Sequence, residues 1–311
     1  MRFIQLSDLH LRTDRPLYGL DPWERLQSVL TAVKHNEAFD FVAITGDLVD
    51  CGADDPEAYR RLRLMLEDAE LPFCITAGNH DLSLPEGFAD PLPEKLDALK
   101  PGVYAGEALE SDDAFCIFAD TAQSHSGPGR MPDDAVKRIE SFAARAAAER
   151  KALLIFAHHP PFAAGYAPMD ATLLENAKEV FKALNAGFRS PEENASAALK
   201  PFRPFAGYFC GHLHRPTSAF LGAPSSLSAL SCWCAPSIAQ PLAPYARADS
   251  IAGTNEAPGY LRASVFPNHA LCELVFVNPQ AHTFPIPYIP FEKESESSSE
   301  GPLNAKPSTD F

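Results

Sequence analysis

Short apolar runs, each followed by an amphipathic stretch, constrain this chain most. Phe3 to Leu6, Phe39 to Thr45, Phe73 to Thr76, Phe115 to Ala119, Leu153 to Ala157 and Phe205 to Cys210 read as strands. Most are continuous in apolar residues rather than alternating, which is the pattern of strands buried on both faces. Helix patterns lie between them. Asp21-Pro22-Trp23-Glu24 supplies an N-cap, a proline at the first helical position and a glutamate at the third. Trp23, Leu26, Leu30 and Val33 then recur at helical spacing. Asp55-Pro56-Glu57 opens a second helix with Tyr59, Leu62 and Leu66 on one face. Val136, Ile139, Phe142, Ala143 and Ala146 mark a third; Leu173, Leu174, Val180, Phe181 and Leu184 mark a fourth. This alternation predicts an α/β domain whose sheet is covered on both sides.

The texture changes after residue 210. Ser218 to Leu221, Leu227 to Cys232, Tyr260 to Phe266 and Leu271 to Val277 are short strand candidates separated by Pro- and Gly-rich turns. They are expected to form a second sheet packed on the first, so that 1–277 is one domain. Residues 278–311 turn Pro-rich and then Ser/Glu-rich, and this composition reads as a disordered tail. No internal repeat is visible.

Charge narrows the function classes. Asp and Glu number 41 against 26 Lys and Arg, a formal charge of −15. Such acidity disfavours a protein that grips nucleic acid by neutralising many phosphates, yet it tolerates a small phosphorylated substrate at a local positive site. No apolar run approaches the ~20 residues of a membrane span. Asp8 and His10 follow the first apolar run at once, which argues against a cleavable secretory signal. Seven scattered cysteines, several inside apolar runs, fit reduced structural thiols and a cytoplasmic location. The close pair Cys232-x-Cys234 reads as structural.

Five short motifs carry the chemistry: Asp8-x-His10; Gly46-Asp47-x-x-Asp50; Gly78-Asn79-His80-Asp81; His158-His159-Pro160-Pro161; and Gly211-His212-x-His214. Four directly follow a predicted strand and the first overlaps the end of one. Carboxyl ends of strands form the binding crevice of an open α/β sheet, so five distant loops would meet there. Six of the ten histidines lie in these motifs. Imidazole, carboxylate and carboxamide suit Mn, Fe, Co or Zn rather than a thiolate metal. The spacing in Asp8-x-His10 and His212-x-His214 would put both side chains on one side of an extended segment. The candidate ligands exceed what one ion needs, so two divalent ions are expected, with Asp47 as the bridge. Two ions about 3.5–4 Å apart can bind both non-ester phosphoryl oxygens and deprotonate a shared water. Each motif alone has a plainer explanation: a surface turn for Asp-x-His and Gly-Asp, an Asx turn for Gly-Asn-His-Asp, a strand end for His-His-Pro-Pro. Their coincidence in this order favours the site.

The five blocks, without departure, resemble the calcineurin-like metallophosphoesterases, which implies a two-sheet sandwich flanked by helices. Residues 156–170, Phe-Ala-His-His-Pro-Pro-Phe-Ala-Ala-Gly-Tyr-Ala-Pro-Met-Asp, are similar to a stretch of class III cyclic-nucleotide phosphodiesterases and glycerophosphodiesterases. Ala235-Pro236-Ser237 and Glu256-Ala257-Pro258-Gly259-Tyr260 extend that similarity. The resemblance implies Asp8, His10, Asp47 and His214 as ligands of one metal, and Asp47, Asn79, His158 and His212 of the other. It makes Asn79 and His80 substrate-binding and His80 catalytic, stabilising phosphoryl oxygens and protonating the leaving alcohol. Asp81 is expected to orient His80. Asp50 reads as supporting and His159 as a buried supporting residue. Arg12 and Arg215 flank ligand motifs and could steer a phosphate. The expected reaction is hydrolysis of a small phosphodiester, a 3',5'-cyclic nucleotide or a glycerophosphodiester, by a metal-bridging hydroxide. A phosphomonoesterase, a nucleotide pyrophosphohydrolase and a non-catalytic scaffold of the same fold are the alternatives. The expected partners are that substrate and neither membrane nor nucleic acid, with a homodimer left open.

Overall fold

The computed structural model describes residues 1–277 except 18, 53, 124–126, 189–201, 223–228 and 243–252. By its contacts the chain divides into Met1–Pro279 and Gln280–Phe311. The predicted tail at 278–311 lies outside the described residues.

The first part of the chain supplies β1 (Arg2–Leu6), β2 (Phe41–Thr45), β3 (Pro72–Thr76), the two-residue β4 (Asp90–Pro91) and β5 (Gly102–Ala105). The middle supplies β6 (Ala108–Glu110), β7 (Ala114–Phe118), β8 (Ala152–Phe156), β9 (Ala206–Cys210), β10 (Thr217–Leu221) and β11 (Leu230–Cys234). β12 (Gly259–Phe266) and β13 (His269–Phe276) close the series. The first sheet has the order β13-β12-β1-β2-β3-β5-β4 and the second β10-β11-β9-β8-β7-β6. In the first, β1, β2, β3 and β5 run parallel; in the second, β7, β8, β9 and β11 do.

The sandwich agrees with the expected class, but its strands are shared out differently. Residues 217–277 do not form a sheet of their own. β10 and β11 extend the second sheet from β9, whereas β12 and β13 return to the first, where β12 pairs antiparallel with β1, Arg2 opposite Ser264, and β13 pairs with β12 at the edge. The six early strands likewise divide three and three between the sheets. The continuous apolar runs are satisfied because each inner strand has one face toward the other sheet and one toward helices. β2, β7, β8 and β9 are buried at every position.

Phe3, Phe41, Phe118, Phe156 and Phe209 fill the space between the sheets. Phe3 meets Phe156 and Phe209 edge-on at 5.0 and 4.8 Å, a favoured geometry for aromatic pairs. Helices α1 (Pro22–Asn36) and α2 (Pro56–Ala69) cover the first sheet through Leu26, Val33, Leu62 and Leu66. Helix α3 (Asp133–Glu149), the short α4 (Ala167–Asp170) and α5 (Ala177–Phe188) follow, and Ile139, Ala143, Val180 and Leu184 cover the second. Asp21 caps α1 through the amides of Trp23 and Glu24, as its sequence predicts, and Asp55 caps α2 through Ala58. The fourth helix starts later than its apolar spacing suggests. Leu173 and Leu174 belong to the approach, where the Leu174 amide donates to the Pro160 carbonyl. Among the described residues no helix is long and apolar enough to cross a membrane.

Candidate metal centre

Each motif stands just past the carboxyl end of a parallel strand. Asp8 and His10 follow β1, Asp47 follows β2, and Asn79 and His80 follow β3; His158 follows β8, and His212 and His214 follow β9. Three loops of one sheet and two of the other thus share one rim. They are joined by their own backbone. The amides of Leu9 and His10 both donate to the Asp47 carbonyl, at 2.8 and 2.9 Å. Asp8 Oδ1 accepts the His212 amide at 2.9 Å, across the two sheets.

The alternating extended geometry expected of Asp8-x-His10 and His212-x-His214 is not what brings their side chains together. Asp8, His10, His212 and His214 have φ of 55, 40, 70 and 53°, and Asp47 has 52°. Five of the eight described non-glycine residues in this left-handed region are therefore proposed ligands. Such positions cost about 1–3 kcal/mol each and persist only where the surroundings impose them. Each strand stops early, and a tight turn aims the side chain back over the rim. The motif glycines make room for it: a Cβ on Gly78 would overlap the Asp47 carboxylate, and one on Gly211 would overlap the Ser7 hydroxyl.

Asp8, His10, Asp47, His158 and His212 are all buried. His10 Nε2 lies 2.9 Å from His214 Nε2. Asn79 Oδ1 lies 3.1 Å from His158 Nε2 and 3.0 Å from His212 Nδ1. Asp47 Oδ2 sits between the groups, 3.4 Å from His10 Nε2 and 3.3 Å from His158 Nε2. The seven predicted ligands thus converge, with Asp47 reaching both halves.

The other nitrogen of each histidine fixes its ring. His10 Nδ1 donates to Asp50 Oδ1 at 3.2 Å, His158 Nδ1 to the Thr45 carbonyl at 2.8 Å, and His214 Nδ1 to the Gln240 carbonyl at 2.8 Å. His212 Nε2 donates to Thr172 Oγ1 at 2.7 Å. In every case the nitrogen left without a proton points into the cluster. Metal-binding histidines are held this way. The inward nitrogens stand close to one another and to the carboxylates, which pulls their proton affinities apart. Burial alone would depress His158, but the Asp47 carboxylate raises it to about 10. Its neighbour His212 is driven well down by burial and by the positive charge of His158. In the other pair burial is again opposed, by Asp50 and Asp47, and His10 is raised; His214 is lowered, first by burial. Burial would raise Asp47, but His158 and His10 hold it well below the usual carboxylate range.

Asp8 Oδ2 is fully enclosed with no hydrogen-bond partner among the described residues. A buried carboxylate oxygen without a donor is expensive, and a cation is the partner that this acceptor-rich cluster lacks. The donor set, N and O with no thiolate, fits two borderline divalent ions.

The remaining site residues divide clearly. His159, though beside His158 and His212, has both nitrogens engaged: Thr121 Oγ1 at 2.8 Å and the Gly127 carbonyl at 3.1 Å. Burial and the charge of His158 push it down to about 3, so its ring stays neutral between Thr121 and Gly127. Asp81 does not orient His80. Its buried carboxylate takes the amides of Leu48, Val49 and Gly78 and the Tyr59 hydroxyl, pinning the β2 loop to the β3 loop. His80 Nδ1 donates instead to the Asp50 carbonyl at 2.8 Å, and its ring meets His10 edge-on at 4.5 Å. Asp50 therefore supports both His10 and His80. Arg12 binds Asp50 and Asp14. Arg215 makes no ion pair among the described residues and lines a cavity of about 370 Å³ with Tyr166, Leu213 and Thr217. Thr172 and the carbonyls of Thr45 and Gln240 were not foreseen, since a backbone carbonyl has no residue signature.

Residues 1–216 match the calcineurin-like phosphoesterase family, and the chain belongs to it. It is a metal-dependent phosphoric ester hydrolase. Among its relatives, a probable cyclic nucleotide phosphodiesterase of Rhodopseudomonas palustris is 32% identical over 224 residues, 70% of this chain and 73% of that protein. A probable glycerophosphodiester phosphodiesterase of Arcobacter nitrofigilis is 24% identical, covering 69% and 72%. The fold matches that of a dimetal phosphatase from Danio rerio, with a TM-score of 0.57 at 10% identity over 89% of this chain and 96% of that one.

Proposed function

We propose that the protein is a binuclear phosphodiesterase acting on a small phosphodiester, a 3',5'-cyclic nucleotide or a glycerophosphodiester, in the cytoplasm. The observation that carries the binuclear reading is Asp47 Oδ2, poised within 3.4 Å of His10 Nε2 and 3.3 Å of His158 Nε2. The substrate class rests on the 156–170 stretch and on the names of the relatives above. Asp8, His10, Asp47 and His214 would hold one ion, and Asp47, Asn79, His158 and His212 the other. Mn, Fe, Zn and Co all suit these donors. When bound, the ions supply Lewis acidity toward the phosphoryl oxygens and make water acidic enough to attack near neutral pH.

The chain's own residues do the rest. Asn79 turns its Oδ1 inward, which leaves its amide N–H groups for a phosphoryl oxygen. His80 is anchored through Nδ1, and its side chain is 40% exposed at the mouth of the site. As an imidazolium, with Nδ1–H held by the Asp50 carbonyl, its Nε2–H can stabilise the developing phosphoryl charge and pass a proton to the departing alkoxide, leaving the neutral ring. The Asp50 carbonyl fixes where that nitrogen stands.

The test is a panel of cyclic nucleotides, glycerophosphodiesters and phosphomonoesters, assayed after chelation and after reconstitution with Mn, Fe, Zn or Co. Diesters should have the highest kcat/KM, and activity should vanish with the metals. Preference for monoesters or nucleotide anhydrides would move the assignment within the family. Two bound ions with no hydrolysis would make the chain a scaffold, and turnover after complete metal removal would overturn the mechanism.

A further inference from the structure

We infer that Thr172 is a positioning residue for His212 and so sets the affinity of one of the two ion sites. The inference rests on the reading of His212 as a ligand. Thr172 lies on the loop between α4 and α5, far in sequence from the ligand that it touches. Its Oγ1 is 2.7 Å from His212 Nε2 and 2.9 Å from the Met169 carbonyl. A carbonyl can only accept, so the hydroxyl hydrogen goes to Met169. The hydroxyl is then an acceptor toward His212, whose proton must sit on Nε2. That leaves Nδ1 bare beside Asn79 Oδ1 at 3.0 Å and His158 Nε2 at 3.3 Å.

His10, His158 and His214 take their proton acceptors from Asp50 or from main-chain carbonyls next to other ligand loops. His212 alone among the four depends on a hydroxyl, and its Nδ1 rather than its Nε2 faces inward. A neutral imidazole in water favours neither geometry enough to hold it. The Thr172 rotamer is fixed as well: its Cγ2 packs so close to Gly127 that a Cβ there would come within 2.9 Å. One residue thus joins the 127 loop, the α4 turn and the ligand.

Thr172→Val keeps the shape and removes the acceptor. A methyl needs about 3.5 Å or more from a ring atom, so the ring must move and its Nε2–H loses its partner. Thr172→Ser keeps the acceptor. Mn(II) binding to the full chain, followed by the electron paramagnetic resonance of free Mn(II), counts ions and affinities in one titration. Wild type should bind two. Thr172→Val should weaken one step by about 10–100-fold, the usual effect of losing such a partner, and leave the other within about twofold. Thr172→Ser should restore it. Two-bond nitrogen–proton spectra of the metal-free proteins give a readout independent of metal: the His212 Nε2–H tautomer in wild type and Ser, a mixture in Val. Equal affinities in Val and wild type, or an unchanged tautomer, overturn the inference. Loss of both sites in Val and Ser alike would show a merely structural role. Wild-type protein that binds fewer than two ions, with the tautomers as expected, would sink the dimetal reading and leave the Thr172–His212 linkage standing.

Discussion

Asp81→Asn separates two accounts of a motif residue. If Asp81 oriented His80, its loss would fall on proton donation. The geometry gives it a different task, and the size of the effect follows from its partners. Oδ1 takes Leu48, Val49 and the Tyr59 hydroxyl at 3.0, 3.1 and 2.8 Å; Oδ2 takes Gly78 at 2.8 Å and shares Leu48 at 3.0 Å. Asparagine can replace only one of these oxygens. Its NH₂ then meets either the Gly78 amide or the Leu48, Val49 and Tyr59 donors, so at least one buried donor loses its acceptor. A charge-assisted bond and the stranded donor are each worth about 1–3 kcal/mol. Against this, burial and the nearby Asp47 charge raise Asp81 to about 6, so removing its charge relieves some repulsion. The net loss should be about 2–3 kcal/mol. Unfolding entropies near 2.1 cal/mol/K per residue make that roughly 3–5 °C in a protein of this size. Calorimetry of the metal-free protein reads the shift. Kinetics on alkyl and aryl esters should show similar fractional losses on both. An unchanged melting temperature combined with a loss confined to alkyl esters would refute the reasoning and return Asp81 to the side of His80.

His80→Ala should keep both ions yet slow alkyl or ribose esters by about 10²–10⁴-fold, and aryl esters with good leaving groups much less. Metal analysis beside the two rate constants checks this, and loss of metal would make His80 a ligand. On the second sheet's edge, Glu110 meets Lys95, Lys151 and Arg145 at 2.8, 2.8 and 3.2 Å. Burial would raise it, but these cations lower it to about 2. A folded-state value below the unfolded one means stability that is full above about 4.5 and lost as pH falls through about 2. Lys95 and Arg145 are largely exposed, so Glu110→Gln should cost only about 1 kcal/mol at pH 7. The gap between the two urea midpoints should close between those pH values; a gap unchanged at pH 2 would contradict the assignment.

The side chains that converge at the rim could be read from the sequence because few chemistries need Asp, His and Asn at strand ends, and the helix caps because Asp before Pro has a strong local preference. The partition of strands between sheets could not. Tyr260 to Phe266 looks like any half-buried strand, and only tertiary packing sends it back beside β1. Gly102–Ala105 and Ala108–Glu110 escaped notice because strands of four and three residues are too short to leave a periodic signal. The left-handed turns at Asp8, His10, Asp47, His212 and His214 were also hidden, since nothing in an Asp or His announces a conformation imposed by its neighbours. Asp81 was misjudged for a related reason: adjacency in sequence suggested a contact with His80 that the turn after β3 directs elsewhere.

The pairing of loops from two sheets at one rim has a mechanical meaning. Asp8, His10, Asp47 and Asn79 hang from one wall of the sandwich, and His158, His212 and His214 from the other. Ions gripped by both would act as rivets, tying residue 8 to residue 214 across the seam between the walls, beside the Asp8–His212 hydrogen bond. Ligand free energy of that kind adds directly to the folded state.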